Sequence, residues 1–154
     1  MKDMPPPESQ PLGYLLHRTG AVLGPAVGAA LKPLELTLPA MVCMKILSVF
    51  PGMSNAELAR ANNITPQSMN IVVKALQDRG LVTRPASVPS GRSLPTQLTR
   101  EGKTLLKRAE AAVAVAEDQV LTDLTTAQRR DLKRLLGKIS ASAVIPGGDV
   151  PVPR

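Results

Sequence analysis

Aromatic residues are almost missing from this chain of 154 residues: Tyr14 and Phe50 stand alone, and tryptophan is absent. Modules that bind single-stranded nucleic acid or RNA by stacking need flat side chains for the bases, so the composition argues against that class. Cysteine is represented only by Cys43 and histidine only by His17. One thiol forms no internal disulfide, and neither a cysteine-based zinc site nor a multi-histidine metal centre can be assembled. His17 has no evident Ser or Asp partner, no glycine-rich phosphate loop is present, and the acids show no pairing suited to acid–base work. The expectation is therefore no catalytic residue, no metal and no cofactor. A long apolar run is lacking as well. The stretch from Gly20 to Leu31 contains Gly24, Pro25 and Gly28, and it falls short of the roughly 20 apolar residues of a membrane span. The segment before it is proline-rich and carries Asp3 and Glu8, unlike a short basic leader. A cytoplasmic protein without membrane contact is expected.

Positive charge is what the chain has in excess, with a net charge of +7. Its placement is more telling than its size. From Arg60 to Arg108 there are nine basic residues against two acidic, while the remainder carries ten of each. The whole surplus thus lies in one central stretch. Double-stranded DNA suits this distribution, because each neutralised phosphate releases counterions. On charge alone, a solvated surface on a basic protein is the plainer alternative.

Residues 1–11 include four prolines and read as a disordered arm; residues 144–154, with Pro146, Gly147, Gly148, Pro151 and Pro153, read as a disordered tail. Leu12 to about Leu31 has helical apolar spacing, with a kink expected at Gly24-Pro25, where proline removes a backbone hydrogen bond. A second helix is expected from the N-cap Thr37 to Pro51-Gly52, apolar nearly all round and therefore buried. Ser54 and Glu57 form a capping box opening a short helix with Leu58 and Ala59 inward. After a turn at Asn62-Asn63-Ile64, Thr65 caps another helix that has Pro66 at its first position and ends at Gly80. Met69, Val72, Val73 and Leu76 share one of its faces. Gln67, Ile71, Lys74 and Asp78 centre the opposite face, with Ser68 and Asn70 at its borders. Two short helices joined by such a turn make a helix-turn-helix.

Two short strands are expected next, Leu81–Arg84 and Leu94–Leu98, flanking a loop from Pro85 to Ser93 that ends in Gly91-Arg92. Pro95 suits an edge strand. A basic hairpin in this place is a wing. Thr99 caps a fifth helix, Arg100 to about Leu121, with a stripe of Leu105, Leu106, Ala109, Ala112, Val113, Ala116 and Val120. A second capping box at Thr125 and Gln128 opens a sixth, with Leu132, Leu135, Leu136 and Ile139 at helical spacing. These two helices present more apolar stripe than a winged core needs, and the same pair from a second copy would cover it in a two-fold contact. Intramolecular packing alone is the alternative. The expected fold is mainly α: a winged helix-turn-helix at about 37–99, inside one domain spanning 12–143. Helices at about 12–33 and 100–143 form its dimerisation region.

On this fold the polar end of the fourth helix (Thr65, Gln67, Ser68 and Asn70) faces the partner, and Lys74, Arg84 and Arg92 supply cations. Gln and Asn bond adenine edges in the major groove, Ser and Thr bond phosphates, and Arg92 suits a narrow minor groove. The run Ala56-Glu57-Leu58-Ala59, through Thr65-Pro66-Gln67-Ser68, to Arg79-Gly80-Leu81-Val82 resembles the core of the multiple-antibiotic-resistance regulator (MarR) family of bacterial transcription factors. Gly91-Arg92 and the Leu98-Thr99-Arg100-Glu101-Gly102 that follows are similar to that family's wing and the start of its next helix. Two departures stand out. Ser90 occupies a position where many members have an Asp bracing the wing Arg, and Gly24, Pro25 and Gly28 are unusual in the family's first helix.

The resemblance implies a homodimeric, sequence-specific DNA-binding regulator: a repressor on a palindromic operator, released by a small apolar or weakly acidic effector. It also implies a ligand pocket between the first two helices and the winged lobe, drawing on Tyr14, His17, Arg18, Met41, Met44 and Lys45. Methionine adapts to varied apolar shapes, and Arg18 or Lys45 would meet a carboxylate. Two other readings remain open at this point: a winged protein-interaction module that binds no DNA, and a regulator that senses oxidation through Cys43.

Overall fold

The computed structural model describes residues 4–85 and 95–141. The wing loop with Gly91 and Arg92, Leu94 and the tail at 144–154 lie outside the described residues. Pro7–Ser9, in the segment read as an arm, forms a 3-10 turn in which Ser9 Oγ donates to Pro6 O at 2.8 Å. Six helices follow: α1 (Leu12–Leu31), α2 (Leu38–Val49), α3 (Asn55–Ala61), α4 (Pro66–Asp78), α5 (Arg100–Val120) and α6 (Thr126–Ala141). Two strands, β1 (Val82–Thr83) and β2 (Gln97–Leu98), pair antiparallel with Val82 opposite Leu98.

The expected interruption at Gly24-Pro25 is absent: α1 runs through Pro25 as one helix. Proline leaves the carbonyl four residues back without its donor. That residue is Ala21, and it is exposed, as is Pro25, so water is available to the carbonyl. The strands are also shorter than expected. Thr96 pairs instead with the α2–α3 connection: Gly52 N donates to Thr96 O at 2.9 Å, and Thr96 N donates to Met53 O at 3.0 Å. This adds a third, one-residue rung at the root of the wing.

One core joins the winged lobe to α1 and α5. Leu31, Cys43, Met44, Leu58, Met69 and Ala109 are each fully buried in it. The face of α4 assigned inward from its spacing is inward, with Met69, Val73 and Leu76 buried. Along α5, Leu105, Leu106, Ala109, Val113 and Ala116 are buried, and α1 packs chiefly against this helix. Helix α1, extended by a 3-10 turn at Lys32–Leu34, meets α2 at a bend of 79°. Among the described residues no single helix is long and apolar enough to cross a membrane.

Helix α6 differs from the rest. None of its residues is buried, and Leu132, Leu135, Leu136 and Ile139 are among the exposed large apolar side chains. It is tied to the end of α5 by the ion pairs Arg129–Asp118 at 2.7 Å and Lys133–Glu117 at 3.5 Å.

Candidate DNA interface

Short-range chemistry sets the position of α4. Thr65 Oγ1 accepts from Ser68 N at 3.1 Å, which closes one of the free donors at the helix start. Pro66 fills the first turn, where its missing N–H costs nothing. Asn55 Nδ2 donates to Pro66 O at 3.1 Å, fastening the beginning of α3 to the beginning of α4. The turn between them needs one left-handed residue, supplied by Asn63 at φ 52°. Asparagine tolerates that region better than most side chains. At the far end Gly80 takes φ 69°, and Leu81 N donates back to Leu76 O at 2.9 Å, which stops the helix where β1 must begin.

The face that results carries Gln67, Ser68, Asn70, Ile71 and Lys74, all exposed. Four potential readers, Thr65, Gln67, Ser68 and Asn70, are therefore brought together on the first turn and a half. Lys74 is on the same side but is not a lone cation. Its Nζ pairs with Asp78 at 3.3 Å, one helical turn on. Such exposed pairs are weak, so a phosphate can displace Asp78. Arg84 is half-buried at the root of the wing, where Nε and Nη2 donate to Thr96 Oγ1 at 3.4 and 3.3 Å. It braces the hairpin as well as adding charge. Arg92 lies outside the described residues.

Two contacts have no counterpart in the sequence reading. Arg79 Nη1 donates to Glu35 O at 2.7 Å and Nη2 donates to Leu34 O at 3.1 Å, clamping the end of α4 to the α1–α2 connection. Thr99 N donates to Leu81 O at 3.0 Å, and its hydroxyl both donates to Gly80 O and caps α5 through Gly102 N. No local pattern announces the first contact. The second was visible only as a capping threonine.

The residues considered for a ligand pocket divide into three groups. Met41 and Lys45 line a groove of about 250 Å³ with Val27, Leu38, Val42, Ile46, Val113 and Glu117, where α1, α2 and α5 meet. Lys45 forms an ion pair with Glu110 at the edge of α5. Met44 is fully buried in the core. Tyr14, His17 and Arg18 lie exposed near the start of α1, with the Arg18 guanidinium 5.8 Å from the centre of the Tyr14 ring. Tyr14 is 13 residues before Val27, about 20 Å along a helix, so within one chain the two groups are far apart.

Cys43 is fully buried. Burial pushes its thiol up to about 12, against a smaller opposing pull from the Arg84 guanidinium. The thiolate is the reactive form, and at neutral pH this site holds almost none, which disfavours the oxidation-sensing reading. Glu57 is shifted the other way. The Ser54 backbone N–H and hydroxyl both donate to its Oε2 at 2.8 Å and hold its carboxyl below the usual range.

Comparison with known proteins agrees with this geometry. The MarR family model matches residues 36–94, from the α1–α2 connection to just short of β2. The chain is 57% identical over 134 residues to the HTH-type transcriptional repressor Rv2887 of Mycobacterium tuberculosis, covering 87% of this chain and 96% of that relative. The crystal structure of Rv2887 in complex with DNA resembles the fold at a TM-score of 0.73 and 52% identity, over 85% of this chain and 98% of that one. Its complex with salicylic acid gives 0.72 and 57%, over 86% and 98%. A winged helix-turn-helix with long flanking helices, matched at this identity over nearly the whole length of a known repressor, leads to one conclusion: the chain belongs to the MarR family of transcription regulators.

Proposed function

We propose that this protein is a bacterial, cytoplasmic transcriptional repressor that binds a palindromic operator as a homodimer and is released by a small aromatic carboxylic acid. The observation that carries the reading is the capped, polar N-terminal end of α4, standing exposed within the central basic stretch of the chain. Gln67 and Asn70 read base edges, Thr65 and Ser68 bond phosphates, and Lys74, Arg84 and Arg92 neutralise charge. The repressor relative solved with DNA supports this assignment. The second copy is supported by α6, whose apolar stripe one subunit leaves uncovered. Tyr14, His17 and Arg18 belong with that dimer face, alongside the exposed Leu12 and Leu16.

The effector site is the groove lined by Met41 and Lys45. Its walls are mainly apolar, and Lys45, exposed at the rim and paired with Glu110, can exchange that partner for a ligand carboxylate, which suits an aryl ring bearing an acid group. The relative's complex with salicylic acid supports that ligand class. The groove lies where the α1–α5 base meets α2 of the winged lobe. Two lobes must meet major grooves about 34–36 Å apart, so a ligand favouring another spacing lowers DNA affinity by its preference between the two states. DNA weakens the ligand by the same factor.

The test is selection of bound sequences from random duplex DNA, followed by gel retardation of the recovered site over a range of salt and salicylate. The expected result is a palindrome whose affinity falls steeply with salt and falls again with salicylate. Lys45→Met is expected to blunt the salicylate effect while sparing DNA binding. Recovery of no site, or binding indifferent to salt, would refute the DNA reading. An unchanged salicylate response in Lys45→Met would refute the pocket.

A further inference from the structure

Ile71 is 73% exposed, more than any other of the exposed large apolar side chains among the described residues. Its position sets it apart from the others. Leu12, Leu16, Leu132, Leu135 and Leu136 lie on the long helices that a second copy would cover. Ile71 instead stands in the middle of the polar face of α4, one turn beyond Gln67 and one turn before Lys74. Toward Gln67, Ser68 and Lys74 its neighbours donate or accept hydrogen bonds; on its other side it borders a shallow groove with Val72 and Ala75, yet most of its surface stays open to water.

From this placement, and resting on the DNA-binding role proposed above, we infer that Ile71 is a specificity-determining residue that packs on the 5-methyl group of a thymine. That methyl group is the one apolar feature that a base pair shows in the major groove. Gln67 and Ile71 are four residues apart, so they lie about 6 Å apart along the helix axis. Bases repeat every 3.4 Å along a strand. The thymine met by Ile71 therefore lies within about two base pairs of the base read by Gln67, once in each half of the palindrome.

The experiment uses the full-length dimer and the palindrome it selects. Deoxyuridine, which lacks only the methyl group, replaces each symmetric pair of thymines in turn. Burying one methyl is worth about 0.8 kcal/mol, or roughly fourfold in affinity. Two half-sites together give a loss of about fifteenfold. Wild-type protein is expected to show this loss at one thymine pair, within about two base pairs of the position where Gln67→Ala relaxes preference. Ile71→Ala is expected to bind the thymine and uracil duplexes equally at that pair, and Ile71→Val to keep most of the difference. Because the side chain is exposed, thermal stability of these variants should match wild type, which separates misfolding from lost recognition. Wild-type indifference to uracil at every position, or an undiminished penalty in Ile71→Ala, overturns the inference while leaving DNA binding intact. Failure to bind any duplex overturns both.

Discussion

Replacing Gly102 by alanine adds one methyl group at the most crowded point where α5 meets the wing. The new Cβ would stand 2.1 Å from Leu81 O and 2.7 Å from Leu98 Cδ1. The leucine side chain can rotate away, but the carbonyl is held. Leu81 O accepts from Thr99 N at 3.0 Å, and Leu81 N is engaged by Leu76 O at 2.9 Å. Relief requires the start of α5 to move off the strand by more than an ångström. Overpacking of this kind costs about 1–3 kcal/mol, and loss of the Thr99–Leu81 hydrogen bond adds about 1 kcal/mol. Against this, alanine in a helix gains about 1 kcal/mol over glycine. The net destabilisation expected is about 1–3 kcal/mol, which lowers Tm by about 2–12 °C for a chain of this size. Gly137 in α6 provides the opposite case, since a Cβ there meets nothing within 4 Å. Gly137→Ala is expected to raise stability by up to about 1 kcal/mol. Thermal unfolding at matched protomer concentration measures both, since association shifts apparent stability. A Gly102→Ala protein as stable as wild type would refute the reasoning.

Three further outcomes follow from the structure. Ser54→Ala removes half of the capping box and is expected to cost about 1 kcal/mol in urea unfolding. Glu57 titrates below its ordinary value when folded, so its contribution is present at neutral pH and lost as pH falls through the folded value. Ser54→Ala should show less of that acid-side loss, and an identical pH profile would refute the link. Cys43 should resist maleimide at pH 7.5 until the protein is unfolded. Its folded value is about 12 against an ordinary 9.0, so the unfolded chain loses the proton first and stability falls as pH rises between those values. Rapid labelling of native protein would contradict this. Leu136→Glu places a charge in the α6 stripe and is expected to convert a dimer of the 16.3 kDa chain into monomer in light scattering; an unchanged mass would place the dimer interface elsewhere.

What could be read from the chain was governed by sequence separation. Ser54 with Glu57, and Thr125 with Gln128, lie three residues apart, so their capping boxes are written as short motifs and both form. Met69, Val73 and Leu76 were legible as core because helical periodicity sorts them onto one side. The Lys74–Asp78 pair follows the same i,i+4 rule, yet charge counting alone treated Lys74 as free. Contacts that close long loops left no such trace. Arg79 reaches carbonyls 44 and 45 residues away, Arg84 meets Thr96 across the wing, and Met53 bridges to Thr96. The continuity of α1 through Pro25 was hidden for a different reason. Local propensity argues for a break there, whereas Ala21 and Pro25 both lie exposed, where water can offset the lost hydrogen bond. The Gln67 face was thus readable in advance, whereas the framework that aims it was not.

The Arg79 clamp has a consequence for how this protein tolerates change. Its two hydrogen bonds address main-chain oxygens, which every amino acid carries, and ignore the side chains of Leu34 and Glu35. As far as this fastening is concerned, positions 34 and 35 can drift, the latter within the set of residues that accept its φ of 52°. Position 79 has no such freedom. Lysine offers one ammonium where a planar fork spans two successive carbonyls. One connection between distant parts of the chain is therefore anonymous on one side and irreplaceable on the other.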